Sequence, residues 1–258
     1  MPKGELEIRK ARRKITSFIK REVESAHADG VVVGLSGGID STVAAYLAVE
    51  ALGNRRTLGL LMPDLRVTPE EDVSDARDVA EELCLETRHI DIAPIHRAFM
   101  KNLQSNKVAE GNLRARIRMA LLYYHANATN GLVVGTGDKS ESLVGYFTKW
   151  GDGGADIFPL GDLSKSEVRM MGEVLGVSRR IITKKSSPRL WPGQTAEGEL
   201  GASYDTIDKV FGLRDSRKMA PKLVASKLGI PLAEVQKILA KNSQTRHKRE
   251  MPAVCIVH

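Results

Sequence analysis

The sequence predicts an α/β fold in which helices cover both faces of a parallel sheet, followed by a helical C-terminal part. Short apolar runs alternate with amphipathic segments up to about residue 160, as they do where β-α-β units form a parallel sheet. Beyond that position almost every segment has a helical period. Hydrophobic residues make up 42% of the 258 residues and charged residues 28%, which is the balance of a globular protein.

The predicted strands and helices alternate along the first part of the chain. The strands cover residues 31–36, 57–62, 86–92 and 132–136. The helices cover residues 5–28, 41–52, 93–103 and 111–128, and a further helix begins near residue 68. Thr68 as a capping hydroxyl, Pro69 at the first helical position and acidic residues in the first turn indicate that start.

The second part of the chain is predicted to be helical, apart from one long loop. The helices cover residues 164–176, 203–211, 215–228 and 231–241. Residues 184–202 are rich in Pro, Gly, Ser and Thr, and a loop of this length is typically functional or mobile. We expect one domain over residues 1–258, with an α/β core at about 30–180 and a basic tail after the last helix.

The most informative motif is the turn between the first strand and the next helix. It consists of Gly34, Leu35, Ser36, Gly37, Gly38, Ile39, Asp40 and Ser41. A turn of this kind aligns backbone N–H groups with a helix N-terminus, and both attract phosphate. Because a carboxylate repels phosphate unless a cation lies between them, we predict that Asp40 binds Mg²⁺ on a nucleotide polyphosphate.

Two common nucleotide motifs are excluded for this turn. It lacks the lysine of GxxxxGK[ST], and its glycines do not follow the GxGxxG pattern of dinucleotide-binding folds. A plain strand-turn-helix corner, with Asp40 as the helix cap, remains the alternative for the turn taken alone.

Charge and composition limit the classes of partner. The net charge of +7 suits polyanionic ligands, whereas aromatic residues are only 5% and form no face with the basic residues, so no nucleic-acid partner is expected. No apolar run reaches the ~20 residues of a membrane span, and the N-terminus does not resemble a signal peptide. Cys84 and Cys255 show no metal-ligand spacing, which favours free thiols and a cytoplasmic location.

A second group of polar residues follows the fourth predicted strand. The run GTGDKSE (135–141) presents a hydroxyl, two acids and a lysine, and the run GYFTKWGDGGAD (145–156) combines glycines, charges and aromatic residues. This composition is typical of an irregular segment whose backbone closely approaches a ligand. A glycine-rich surface loop is the alternative.

Taken together, these strings resemble the NAD synthetase family. The turn SGGIDS resembles the pyrophosphate loop (the N-type PP-loop) of the ATP pyrophosphatase superfamily, to which that family belongs. GTGDKSE, GYFTKWGDGGAD, FPLGDLSKSEVR and WPGQT occur in the family's order, and the resemblance covers residues 30 to 250. It implies a Rossmann-like core of the adenine nucleotide alpha-hydrolase type.

The resemblance also implies a reaction, the last step of NAD biosynthesis. ATP adenylates the carboxylate of deamido-NAD (nicotinic acid adenine dinucleotide), pyrophosphate leaves, and ammonia then displaces AMP. Some family members obtain ammonia from glutamine through an extra amidase domain, but the segment before the first predicted strand is too short for one. The ammonia-dependent form, acting as a homodimer, is therefore expected.

The resemblance assigns roles to individual residues. ATP is expected to contact the turn 34–41 and also Thr136, Lys165 and Ser187, while Asp40 and Glu141 correspond to the family's Mg²⁺ ligands. The residues expected to bind deamido-NAD are Arg116, Lys149, Asp156, His247 and Lys248. Arg114 and Arg118 are expected to be ordinary helix residues.

One short segment departs from the family pattern. Pro188 and Arg189 stand where the family usually has alanine and an acid, so the surroundings of Ser187 differ. Taken alone, Lys165 also fits a helix surface, and the run 247–249 fits a solvated basic tail.

Two other functions remain as alternatives. One is a different PP-loop ligase, GMP-synthetase-like or tRNA-modifying, although a tRNA enzyme would need a nucleic-acid domain or a sulfur-handling cysteine. The other is a nucleotide-binding module without catalysis, which is expected to lack a metal-binding carboxylate, whereas this chain has both Asp40 and Glu141.

Overall fold

The computed structural model describes residues 3–257, except for the side chains at positions 3 and 215–217. Its strands are β1 (Gly30–Gly34), β2 (Thr57–Leu61), β3 (Glu86–His89) and β4 (Gly131–Val134). The helices up to β4 are α1 (Lys3–Ser25), α2 (Ile39–Leu52), α3 (Glu70–Glu82), α4 (Ala93–Met100) and α5 (Lys107–Ala128). The later helices are α6 (Lys139–Val144), α7 (Lys165–Leu175), α8 (Arg179–Ile182), α9 (Ala196–Leu200), α10 (Tyr204–Arg217), α11 (Pro221–Leu228), α12 (Leu232–Gln244) and α13 (Arg246–Arg249).

The sheet has the order β3-β2-β1-β4, and every pair of neighbouring strands is parallel. Val31 of β1 lies opposite Thr57 on one side and Leu132 on the other, so β1 is an inner strand. After β1 the chain adds β2 and then β3 on one side of it, and later adds β4 on the other side. This reversal opens a crevice between the carboxyl ends of β1 and β4, where ligands bind in open α/β sheets.

Helices cover both faces of the sheet, which confirms the predicted fold class. Val31 and Val33 point into a cluster formed with α1, α2, α3 and α7, whereas Val32 points into a second cluster formed with α4 and α5. Alternate residues of a strand face opposite sides, so a strand that is buried on both faces is apolar throughout. This requirement explains the uninterrupted valine run of β1.

The C-terminal part is helical, as predicted, and it forms a hydrophobic cluster of its own. Tyr204, Ile207 and Val235 are among its buried residues, and they join α10 and α12 to α6 and α9. Arg249 of α13 donates to the carbonyl of Ser142 at 3.0 Å, so the end of the chain is fixed to α6. Within residues 3–257, no helix combines the length and apolar character that crossing a bilayer requires.

Several predicted boundaries were wrong, each for a local reason. The helix predicted over 5–28 ends at Ser25, because His27 adopts a left-handed φ of 52°. The helix predicted from 215 begins at Pro221, a residue that suits the first helical turn. Short α6 and α9 were not predicted, since their ends depend on caps such as Asp138 and the left-handed Gly145 rather than on a long apolar period.

Candidate active site

The turn of residues 34–41, here called the phosphate turn, connects β1 to α2. The Ser36 and Ser41 hydroxyls lie 2.9 Å apart, and Ser41 also donates to the carbonyl of Gly38 at 3.0 Å. Gly37 adopts a left-handed φ of 74°, and a Cβ atom there would overlap the carbonyl oxygen of Asp72. The sequence therefore forms a braced turn at the N-terminus of the 14-residue helix α2, where backbone N–H groups attract anions.

Three carboxylates, here called the carboxylate triad, surround one ammonium group. Lys165 Nζ lies 2.7 Å from Asp40 Oδ2, 2.9 Å from Glu141 Oε1 and 2.9 Å from Asp138 Oδ2. The side chains of Lys165 and Asp138 have no exposed surface. The four residues come from the starts of α2, α6 and α7, so the triad forms only when these helix ends meet beside the crevice.

The triad places three carboxyl groups around a single ammonium group. Burial alone would lower the pKa of Lys165, but the three carboxylates raise it well above its usual value, so the amine is protonated. Burial raises the pKa of Glu141 to about 8 and that of Asp138 to about 6, although Lys165 opposes both changes. The site therefore favours an additional cation.

The side chains fit a magnesium ion that arrives together with a nucleotide. Asp40 Oδ1 is buried and accepts no hydrogen bond. In the part of the chain that the structure describes, no group of three or more His, Cys, Asp or Glu side chains is arranged to bind a metal ion by itself. Mg²⁺ usually takes one or two protein carboxylates and completes its coordination with substrate phosphates and water. Asp40 and Glu141 match that donor set.

A cavity of about 450 Å³ opens at the carboxyl ends of β1 and β4. The predicted ATP contacts in its wall are Gly34, Leu35, Ser36, Gly38, Ile39, Asp40, Ser41, Thr136 and Ser187, together with the predicted metal ligand Glu141. Two predicted contacts are absent from the wall. Gly37 faces Asp72 behind the turn, and Lys165 is buried on the triad rather than open to the cavity.

Four of the five residues predicted to bind deamido-NAD form a connected group, here called the basic rim. Of these four, Lys248 lines the cavity, whereas Arg116, Lys149 and His247 lie outside its wall. Arg116 donates to the Lys149 carbonyl at 3.2 Å, and Lys149 donates to the His247 carbonyl at 2.5 Å. Lys248 lines the cavity and donates to two backbone carbonyls of the segment 145–147, at 2.8 and 2.7 Å. Asp156 is held separately, because it accepts from the N–H of Val133 at 2.7 Å.

Three charged residues of the site were not predicted from the sequence. Asp138 is the N-cap of α6 and was not assigned to the triad. Arg118, expected to be an ordinary helix residue, lines the cavity and donates to the Met62 carbonyl at 2.9 Å, and burial lowers its pKa to about 10. Asp152 also lines the cavity; the residue is exposed, but partial desolvation by the neighbouring protein atoms raises the pKa of its carboxyl. No local sequence pattern distinguishes Arg118. Asp138 and Asp152, by contrast, lie in the glycine-rich runs GTGD and GDGG.

Arg114, unlike Arg118, is a structural residue and does not line the cavity, as expected. Its guanidinium donates to the buried carboxylate of Asp64 at 2.8 Å, and Arg66 donates to the same carboxylate at 2.7 Å. Neither arginine lines the cavity. This buried group stabilises the region that follows β2 and does not form part of the site.

Residues 184–195, here called the crossing segment, form one wall of the cavity. Ser187 donates to the Gln194 carbonyl at 2.7 Å, and the Leu190 N–H donates to the side chain of Gln194 at 2.8 Å, so the segment is braced internally. One side of the segment contacts α3 through Arg189, and the other contacts α5 through Trp191, over whose ring Lys107 lies at 4.8 Å.

Comparison with known proteins agrees with this geometry. Residues 11–252 match the NAD synthase family. The NH(3)-dependent NAD(+) synthetase of Pyrobaculum aerophilum is 52% identical over 252 residues, which cover 96% of this chain and 92% of that protein. The structure of the NH3-dependent NAD synthetase from Campylobacter jejuni has a TM-score of 0.83 at 31% identity, covering 96% and 99% of the two chains. That of NMN synthetase from Francisella tularensis has a TM-score of 0.82 at 34% identity, covering 96% and 98%.

The matched residues include the phosphate turn, the carboxylate triad, the crossing segment and the basic rim. Identity above one half over most of both chains indicates common descent, because a shared fold alone needs no such agreement in sequence. The chain belongs to the NAD synthase family.

Proposed function

We propose that this protein catalyses the ATP-dependent amidation of deamido-NAD by ammonia, giving NAD, AMP and pyrophosphate. One observation carries the proposal: the phosphate turn, two carboxylates of the triad (Asp40 and Glu141) and Lys248 of the basic rim line a single cavity. A nucleoside triphosphate and a second, anionic nucleotide both find complementary charge there. Relatives named NH(3)-dependent NAD(+) synthetases support the same reaction.

In the first step, the pyridine carboxylate oxygen attacks the α-phosphorus of ATP. The bond between that phosphorus and its bridging oxygen breaks, and pyrophosphate leaves with the electron pair. The N–H groups at the start of α2 bind the departing phosphates, mostly by electrostatic positioning. Asp40 and Glu141 would bind Mg²⁺ together with the phosphates, and the metal would supply positive charge there.

In the second step, ammonia attacks the carbonyl carbon of the acyl-adenylate, AMP leaves, and the nitrogen loses one proton. Ammonia is mostly ammonium near neutral pH, so a base is needed before the attack. Asp152 fits this role, since its carboxyl lines the cavity and the surrounding protein atoms raise its pKa above the ordinary value. Arg118 and Lys248 present positive charge to the acid and phosphate groups of the substrate.

We further propose that the active form is a homodimer, with the basic rim beside the interface. Large apolar side chains are exposed on and near α5: Tyr124 is 67% exposed, and Trp150, next to Lys149 of the rim, is 48% exposed. Exposed aromatic residues of this kind are enriched at protein interfaces.

An assay of the purified protein tests the reaction. With ATP, Mg²⁺ and an ammonium salt, deamido-NAD should yield equimolar NAD and AMP, and glutamine should not replace ammonium. The corresponding mononucleotide, nicotinic acid mononucleotide, should be a poorer substrate by kcat/KM. A preference for the mononucleotide would favour the activity in the name of the Francisella relative, and formation of neither amide would overturn the proposal.

A substitution in the triad tests the site itself. Asp40→Asn removes a charge from the group that holds the phosphates, so turnover should fall by at least about a hundredfold. Asp162→Asn serves as the matched control, because the Asp162 side chain is 97% exposed and lies outside the cavity wall. Equal turnover in the two variants would contradict the assignment of Asp40.

A further inference from the structure

Arg189 is one of the residues at which the crossing segment departs from the family pattern. Its side chain connects the segment to α3. Its Nε donates to Asp72 Oδ2 at 2.7 Å. Asp72 lies in the first turn of α3 and its side chain is only 4% exposed, whereas that of Arg189 is 31% exposed. An acid at position 189 would repel Asp72 instead.

Arg189 is held in a conformation that a bulky residue seldom adopts. Its φ is 49°, in the left-handed region that favours glycine. Such a conformation persists where surrounding contacts determine it. The Arg189 N–H donates to Ser187 Oγ at 3.2 Å and the guanidinium to Asp72, so backbone and side chain are both fixed.

The ion pair lies directly behind the phosphate turn. Asp72 also accepts from Lys184 at 2.8 Å, and Lys184 contacts the carbonyl of Gly37 at 3.3 Å. The carbonyl oxygen of Asp72 occupies the space beside Gly37 that a Cβ atom would need. The position of the crossing segment is therefore coupled through α3 to the turn that receives the phosphates.

We propose that Arg189 is a positioning residue: its ion pair with Asp72 holds the crossing segment closed against α3 before ATP binds. Closure in the free protein leaves less of the segment to be ordered by the nucleotide. The part of this inference that concerns ATP rests on the proposed function, whereas closure of the segment does not.

Hydrogen exchange of the ligand-free protein tests closure directly. Arg189→Ala should accelerate amide exchange in peptides spanning residues 186–196 by about three- to tenfold, because the closed fraction falls. Arg189→Gly removes the ion pair and also relieves the strain of the left-handed backbone conformation. It should give the same acceleration, and it serves as the second variant if Arg189→Ala proves difficult to purify. Unchanged exchange in both variants would overturn the proposal.

Arg180 of α8 offers a control because it also pairs with acids of α3. Its guanidinium contacts Asp75 and lies 2.8 Å from Asp78, and it does not line the cavity. Arg180→Ala should leave exchange in residues 186–196 unchanged, so acceleration of similar size would show that any loss of charge beside α3 loosens the segment. That result would count against a specific role for Arg189.

Steady-state kinetics tests the positioning role. Loss of the ion pair should raise KM for ATP by about three- to tenfold and change kcat by less than about twofold, because apparent affinity falls with the competent fraction. Arg189→Lys, which keeps the charge, should restore part of the difference. Faster exchange with an unchanged KM would overturn positioning, whereas normal closure without amide formation would overturn only the proposed function.

Discussion

Lys165 lies in neither of the two surroundings that were considered for it from the sequence. The sequence places it at the first position of a helix, which fits a surface lysine, and the family resemblance places it on the phosphates. In the structure, its ammonium group is buried among Asp40, Asp138 and Glu141. The cause is charge: three acids brought together by the fold require a cation, and Lys165 is the one that the described chain supplies at their centre.

Asp64 supports a prediction about pH. Burial alone would raise the pKa of Asp64, but hydrogen bonds from Arg66 and Arg114 outweigh burial and hold that pKa well below its usual range. A carboxyl whose pKa is depressed on folding stabilises the protein above its unfolded pKa of about 4, and this stabilisation is lost as the pH falls. Asp64→Asn should therefore lower the free energy of unfolding by about 2–4 kcal/mol at pH 7.

Urea unfolding at two pH values checks this prediction. The difference between the parent protein and Asp64→Asn should shrink as the pH falls below about 4, where Asp64 begins to be protonated in the unfolded state. Glu86→Gln is the control, since Glu86 and its partner Arg88 are both exposed, and it should change stability by less than about 1 kcal/mol. A difference for Asp64→Asn that stays constant down to pH 2 would contradict the assignment.

At the scale of elements, α7 connects helix capping with the site. Ser164 caps the helix by accepting from the N–H of Glu167, and the Glu167 side chain accepts from the N–H of Ser164 at 2.8 Å. Lys165 is the next residue, so this capping box fixes the backbone from which the ammonium group projects. Ser164→Ala should lower the free energy of unfolding by about 1 kcal/mol and also reduce kcat.

Asn106→Ala separates these two effects. Asn106 caps α5 by accepting from the Ala109 N–H at 3.0 Å, at an exposed position. Loss of this cap should lower stability about as much as Ser164→Ala does and leave kcat unchanged. Thermal unfolding and initial rates measure the two effects. If both variants lose activity in proportion to stability, the capping box has no special role at the site.

The long elements could be predicted from sequence because their apolar periods are long and their ends carry strong signals. The valine run of β1 and the Thr68-Pro69 start of α3 are examples, although the structure moves that N-cap to Pro69. Short α6 and α9 could not, because one or two turns of helix have too few residues for a period to appear. Their existence depends on tertiary contacts that a linear pattern does not contain.

At the scale of the whole molecule, the site could be predicted only in part. The phosphate turn is local, so its sequence was sufficient to place it at the crevice between β1 and β4. Arg118 could not be identified, since an arginine one helical turn from Arg114 has the same local pattern whether it faces a cavity or a buried acid. Which of the two reaches the cavity is decided by how α5 packs on the sheet.

The C-terminal residues fix the end of the chain to α6 and to the segment that follows it, and truncation tests this role. Ending the chain after Thr245 removes Lys248 and Arg249, which bond to carbonyls in and after α6. We expect a lower unfolding temperature and a higher KM for deamido-NAD. Ending the chain after Glu250 removes residues 251–257, all of them exposed, together with His258, which lies outside the described residues. This change should alter neither quantity. Identical behaviour of the two truncated proteins would contradict this role.

The distance along the chain between Asp40, Asp138 and Lys165 has a consequence for how activity appears during folding. A partly folded chain in which β1 and β2 have paired would already possess the phosphate turn, yet it would lack the ammonium group that α7 contributes much later in the sequence. Enzyme activity should therefore appear last, once α7 has packed against the rest of the site. Recovered enzyme activity would then report complete assembly of the molecule, and early spectroscopic signals would not.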